Sequence, residues 1–369
     1  GAIDIRATGI PDDGSNVTRT IRARYAQPTV AQFSYILNDT VWAGPDRVIN
    51  GPYHSNGGIR MDGTNNAPGT SSLDTWNCTA SYGCDGAGGN PAAGTKPGVF
   101  GLGPNHSLWS YPIPQVNFAG ILADFSSLKN TAQISGRYVP RYSSGNSSSA
   151  SYWRGYRLTF NANGTVTVRR VTSVTSLTVT PVNSADTTTD RSLSGSEEAY
   201  ATYTLSANCG LIFVEDNVWL EGVITGKVTV VAANVTTAGV SPSVVLKNNI
   251  TYANDTAGLT VIADHNILVA PDSPQNMTLN GVFVAQGGAF GRNYYGSNAS
   301  YEPRNTLTIH GTTVSNKRTG TRWCLNAACT SSAGYQVRID AYDRRVASDP
   351  PPFTPIVSSD YRFVDWREE

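Results

Sequence analysis

The stretch Leu211-Ile212-Phe213-Val214, Asn217-Val218-Trp219-Leu220, Gly222-Val223-Ile224, Lys227-Val228-Thr229-Val230-Val231 decides the fold. The same kind of text continues as Ser243-Val244-Val245-Leu246, Asn249-Ile250-Thr251-Tyr252, Leu259-Thr260-Val261-Ile262 and Asn266-Ile267-Leu268-Val269. It ends with Met277-Thr278-Leu279, Gly281-Val282-Phe283-Val284 and Thr306-Leu307-Thr308-Ile309-His310. Short β-branched runs, broken by Gly, Asn or Asp and with almost no helix-forming sequence between them, describe a chain that turns corners while keeping one face buried. The expected architecture is mainly β: a parallel β-solenoid (β-helix) whose main body spans 201–315.

Working outward, Ile3, Ile5 and Ala7 alternate, an acidic turn follows at Asp12-Asp13-Gly14, and Val17 to Tyr25 alternates again, which predicts a hairpin within 1–30. Residues 31–200 read as early rungs interrupted by excursions. Gly51-Pro52-Tyr53-His54-Ser55-Asn56-Gly57-Gly58-Ile59 supplies rung-like strands, whereas 64–114 is a Gly-, Pro- and Ser-rich loop of the length that is usually functional or tied down. A helix is predicted over 117–133, because Phe118, Ile121, Leu122, Phe125 and Leu128 share a face, with Asn117 as its cap and Gly136 as its stop. A hairpin is predicted over 156–170 around Asn161-Ala162-Asn163-Gly164. Residues 316–369 read as a second Cys loop, a polyproline crossing at Asp349-Pro350-Pro351-Pro352-Phe353 and a return strand, Tyr361 to Trp366, that reaches the opening hairpin.

Lys plus Arg and Asp plus Glu both total 27, so no summed field would hold a polyanion, and nucleic-acid binding over the whole surface is excluded. Of the five cysteines, Cys78 with Cys84 and Cys324 with Cys329 each close a short loop, as disulfides do in an oxidising compartment. Neither pair has a second Cys or His pair at zinc spacing. Cys209 is left over and reads as a small buried apolar residue.

Eleven Asn-X-Ser/Thr sequons, at Asn16, Asn38, Asn77, Asn105, Asn146, Asn163, Asn234, Asn249, Asn254, Asn276 and Asn298, mark candidate glycosylation sites. No apolar run reaches membrane-spanning length. Membrane association is therefore expected only through an export and anchoring segment preceding Gly1.

Catalytic chemistry has few footholds. Glu215, Asp216 and Glu221, with Asp264 beside His265, are the candidates for the carboxylates a β-helical polysaccharide-active enzyme would need, yet they sit at strand corners where solvated turns are common. No H-E-x-x-H or G-x-S-x-G motif occurs, and Gly287-Gly288-Ala289-Phe290-Gly291 lacks the Lys-Ser/Thr of a phosphate loop. No cofactor is expected. Structural calcium is a candidate at Asp12-Asp13 or Asp62-Gly63-Thr64-Asn65, although Asp and Asn in such turns commonly bond their own backbone. Trp109, Tyr111, Trp153, Tyr156, Tyr294, Tyr295 and Tyr301 lie in or beside loops and are candidate rings for surface glycans or a protein interface. The simpler and favoured reading is that they plug the flank of the stack.

Gly51 to Ile59, Val214-Glu215-Asp216-Asn217-Val218-Trp219-Leu220-Glu221-Gly222 and Asp349 to Phe353 together resemble surface proteins of the type IV pilus system, specifically minor-pilin-like proteins with a β-solenoid inserted into a pilin-type β-sheet domain. The resemblance implies that the opening hairpin and closing strand form a small pilin-like antiparallel portion and that the solenoid projects from it. It implies an extracellular, structural or adhesive protein of the cell surface or filament, with other pilin subunits or copies of itself as partners and no catalytic residues to carry over. The family's hydrophobic N-terminal helix has no counterpart in these 369 residues. The alternative is a β-helical polysaccharide-active enzyme or carbohydrate-binding module.

Overall fold

A computed structural model describes residues 2–10, 12, 17–145, 149–205, 209–296, 298 and 300–368. Asn16, Asn146 and Asp13 lie outside the described residues. The chain is mainly β, and among the described residues short strands run throughout, with only three short α-helices.

The β-branched runs pair in parallel, in register, each with a strand of the next turn. Leu211 faces Thr229, Thr229 faces Thr260, Thr260 faces Val282, and Val282 faces Thr312. The ladder then continues into the first third of the chain: Thr313 faces Tyr35, Tyr35 faces Tyr53, and Tyr53 faces Gly69. At the other end, Arg137–Val139 pairs with Leu211–Val214. The residues grouped in sequence as 31–200 therefore lie at the two ends of one ladder, with 211–315 between them.

Both faces of the central strands are covered, which is why they read as unbroken apolar runs instead of alternating ones. Ile212, Val214, Val230, Ala232, Val261, Ala263, Phe283 and Ala285 stack on one side. Leu211, Phe213, Val231, Ile262, Val282, Val284 and Val314 pack on the other, beneath Ile121, Leu128 and Ala132 of the helical segment and Val346 and Ala347 of a further helix, Arg344–Ser348.

The expected 117–133 helix is two pieces. Phe118–Ile121 is capped by Asn117, whose side chain accepts from the Gly120 N–H, and Phe125–Ile134 is capped anew by Asp124, whose carboxylate accepts from Ser126 and Ser127 N–H. Asp124 interrupts the apolar face because its short acceptor competes for the backbone donors that a continuous helix would need.

The hairpin Gly155–Phe160 with Thr165–Val171 forms as expected, and its first strand also joins the parallel ladder beside Asn217 to Gly222. A second hairpin, Val174–Val179 with Thr188–Ser194, occupies a Thr- and Ser-rich stretch that follows the first.

The chain ends meet. Ala2–Gly9, Arg19–Ala26 and Arg362–Glu368 form a three-stranded antiparallel sheet in which Ile3 faces Tyr25, Ala7 faces Ile21 and Ala23 faces Trp366. Ile3, Ile5, Ile21, Phe363 and Trp366 fall on one face, and Ile3, Phe363 and Trp366 are 58%, 62% and 58% exposed. The opposite, charged face turns toward the body, where Arg24 meets Asp349 at 3.2 Å and Arg344 meets Asp365 at 3.1 Å across a cleft of about 500 Å³.

Candidate binding cleft between the disulfide loops

Cys78 is disulfide-bonded to Cys84 and Cys324 to Cys329. The two stapled loops, more than two hundred residues apart, form facing walls of one cleft of about 720 Å³.

The first wall is pinned by Arg60, whose side chain is almost wholly buried. Its guanidinium donates to the Tyr82 carbonyl at 3.0 Å, the Gly83 carbonyl at 2.5 Å and Asn90 Oδ1 at 3.0 Å. It also pairs with Asp62 at 2.7 Å and lies 4.4 Å from the Trp42 ring centre. Gly83 has φ +73° and an added Cβ would fall 2.3 Å from Arg60 and 2.8 Å from Trp42, so only glycine fits this turn. Beneath the loop, Trp76 shares a buried cluster with both cysteines.

The walls are tied to one another. Asn90 Nδ2 donates to the Ala327 carbonyl at 2.8 Å, and Arg318 Nη2 donates to the Ser81 carbonyl at 2.5 Å while its guanidinium sits 4.7 Å over the Tyr82 ring. Burial pushes the Tyr82 hydroxyl above its usual range, with Asp39 adding to the effect and Arg318 opposing it. Burial likewise lowers Arg318, although Tyr82 and Asp39 favour its charge.

On the second wall, Arg322 faces Asp46 at 3.5 Å and Trp323 donates its indole N–H to the Arg292 carbonyl at 3.0 Å. The floor is Arg47, buried and donating to the Tyr53 hydroxyl at 3.2 Å and the Tyr35 hydroxyl at 3.4 Å.

The aromatic residues selected from sequence are dispersed. Trp109 donates to Asn65 at 3.1 Å and stacks on His106; Tyr111 is exposed; Trp153 packs on Tyr152. Tyr156 and Tyr295 are buried, with Tyr295 donating to Asp190 at 3.0 Å, and Tyr301 lies edge-on to Tyr295. Tyr294 alone comes near the cleft, behind Trp323 at 5.9 Å between centroids. The rings that line it, Trp42, Tyr82 and Trp323, were not selected. A signal for two of them was present: Tyr82 lies inside the first Cys loop and Trp323 immediately precedes the second.

The candidate carboxylates do not converge. Glu215 accepts both Lys129 contacts at 2.9 Å, Tyr138 at 2.5 Å and Thr236 at 2.9 Å. Burial pushes Glu215 up, but these donors outweigh it and hold the carboxyl below its ordinary range. Asp216 accepts from the Tyr142 and Ser143 N–H groups, yet burial prevails and raises it. Glu221 binds Arg157 and Thr159. Burial raises Asp264 and lowers His265. Each carboxylate belongs to its own network.

Among the described residues, no group of three or more His, Cys, Asp or Glu is placed to hold a metal. Asp62, in one of the calcium candidates, instead accepts from Trp42, Arg60 and the Leu102 N–H. Cys209 is half-buried, not buried, and the Ser135 hydroxyl lies 3.7 Å from its sulfur. Of the sequon asparagines, Asn38, Asn77, Asn163, Asn249, Asn254, Asn276 and Asn298 are exposed. Asn105 and Asn234 are half-buried and donate their side-chain amides to the Asn65 and Glu215 carbonyls. Among the described residues, no helix is long and apolar enough to cross a membrane.

No protein-family model and no curated protein matches the chain. Among solved structures, the competence-associated pilin ComZ from Thermus thermophilus is similar at a TM-score of 0.32 and 12% identity, covering 100% of this chain and 81% of that one.

Proposed function

We propose that this chain is a non-enzymatic, extracellular structural protein of the type IV pilus kind, in which a β-solenoid carries the stapled-loop cleft away from a pilin-like sheet that joins filament subunits. The observation that carries the reading is the end sheet, whose charged face is turned inward and whose apolar face, bearing Ile3, Ile5, Ile21, Phe363 and Trp366, is left open. A contiguous exposed apolar surface on a folded protein is a contact surface. The parallel ladders support the solenoid: every turn donates hydrogen bonds to the next, which makes a stiff spacer. The resemblance of the three quoted sequence segments to minor-pilin-like proteins supplies the kind of filament.

The test is fractionation of the native host with an antibody to this chain. The protein is expected in sheared surface filaments, and a Phe363→Ser, Trp366→Ser variant is expected to fold but leave that fraction. Recovery only from the cytosol would overturn the reading, as would polysaccharide turnover abolished by Asp264→Asn.

A further inference from the structure

We propose that the cleft between the two disulfide loops binds a neutral oligosaccharide. This deepens the display reading by naming what the displayed surface would contact, and it rests on the cleft alone.

The cleft is built before any ligand arrives. The Arg60 pin fixes the first disulfide loop, and the Asn90–Ala327 and Arg318–Ser81 bonds hold it against the second. Walls fixed in this way spare a ligand the ordering cost that flexible loops impose. Its volume of about 720 Å³ lies within the range of ligand pockets and leaves room for a short chain of sugars.

The lining chemistry selects the ligand. Asp39, Asp46 and Asp85 balance Arg47, Arg318 and Arg322, so the cleft has no net charge with which to attract a polyanion. A purely apolar ligand fits no better, because it would strip water from Asp46 and Arg322 without replacing the lost hydrogen bonds. Sugars offer both things the cleft asks for. Their C–H faces lie on rings such as Tyr82 and Trp323, one on each wall. Their hydroxyls donate to a carboxylate such as Asp46 and accept from a guanidinium such as Arg322, which face each other at 3.5 Å, close enough for vicinal hydroxyls to bridge.

The experiment is calorimetric titration of the purified chain with cellotetraose, chitotetraose, maltotetraose and polygalacturonate. At least one neutral tetrasaccharide is expected to bind, with affinity little changed by added salt. Trp323→Ala is expected to weaken it by up to about tenfold, the loss of one ring contact, while Trp323→Phe keeps most of it. Asp46→Asn, which preserves shape, is expected to weaken it as well, with melting curves of all three variants showing an intact fold. The proposal is overturned if no neutral tetrasaccharide binds, if binding is indifferent to both Trp323→Ala and Asp46→Asn, or if only polygalacturonate binds in a salt-sensitive way. Filament localisation of Trp323→Ala is expected to be unchanged, so failure here and failure of the display reading are separately visible.

Discussion

Arg338 and Asp340, two positions apart on one strand and both almost wholly buried, face each other inside the protein, with Arg338 Nε donating to Asp340 Oδ1 at 2.9 Å. Residues i and i+2 of a strand point to the same side, so this pair is set by local geometry. Arg47 approaches Asp340 from a neighbouring strand at 3.9 Å, and the Arg47 and Arg338 guanidinium carbons lie 5.0 and 5.1 Å from the centre of the Tyr35 ring. Two buried cations thus share one carboxylate.

Removing that carboxylate leaves both cations without an anion in a dry interior. Asp340→Ala is expected to destabilise by about 3–5 kcal/mol, the typical cost of breaking a buried pair. Urea unfolding checks this, and a triple variant Arg47→Met, Arg338→Met, Asp340→Leu, which removes both cations together with the anion, is expected to recover much of the loss. An Asp340→Ala midpoint equal to the parent would refute the pairing.

Gly281 and Gly311 face each other in successive strands, with φ of +151° and +142°. A Cβ on Gly311 would lie 2.0 Å from the Gly281 carbonyl oxygen, so Gly311→Ala meets both strain and collision. The expected cost is about 1–3 kcal/mol. Gly226, where a Cβ meets nothing within 4 Å, is the control, and Gly226→Ala is expected to be near neutral in the same melting experiment.

Acid sensitivity should have two stages. His54 is lowered by burial, only partly offset by its bond to Asn56, so the unfolded chain binds its proton first and stability falls as pH drops below the ordinary imidazole value of 6.5. Glu215 is depressed in the fold, so its contribution is present above the ordinary carboxyl value of 4.5 and is lost as pH falls below it. Asp216 is raised and works in the opposite direction, its neutral-pH cost being relieved on acidification. Urea midpoints followed across pH should therefore fall less steeply for His54→Gln in the upper window and for Glu215→Gln in the lower. Profiles identical to the parent would count against both assignments.

Cys78→Ala with Cys84→Ala opens a loop six residues long. Chain-entropy arguments put the loss at about 2 kcal/mol. Because the two cysteines share a buried cluster with Trp76, the change is expected to raise protease cleavage within 78–97 before global unfolding. Cleavage no faster than in the parent would show that Arg60 holds the loop unaided.

How much of this was legible beforehand depended on how local each cause was. Strand text, the 156–170 hairpin and the pairing of each cysteine with its near neighbour follow from nearest-neighbour chemistry: β-branched periodicity, turn residues and short loop closure. The break at Asp124 was legible too, since an Asp followed by Ser126 and Ser127 is a capping signal that the apolar stripe around it masked.

What no local pattern contains is which strand lies beside which. Thr313 pairs with Tyr35 across most of the chain, and the two disulfide loops that share one cleft are brought together by that jump. Parallel pairing carries no turn signature, because partners are joined by long excursions and every apolar run is an acceptable neighbour for every other. Residue chemistry settled the mainly β character and the two stapled loops; the cleft, the buried Arg338–Asp340 pair and the outward apolar sheet exist because distant segments stack in one particular order, which is settled by packing energy summed over the whole molecule.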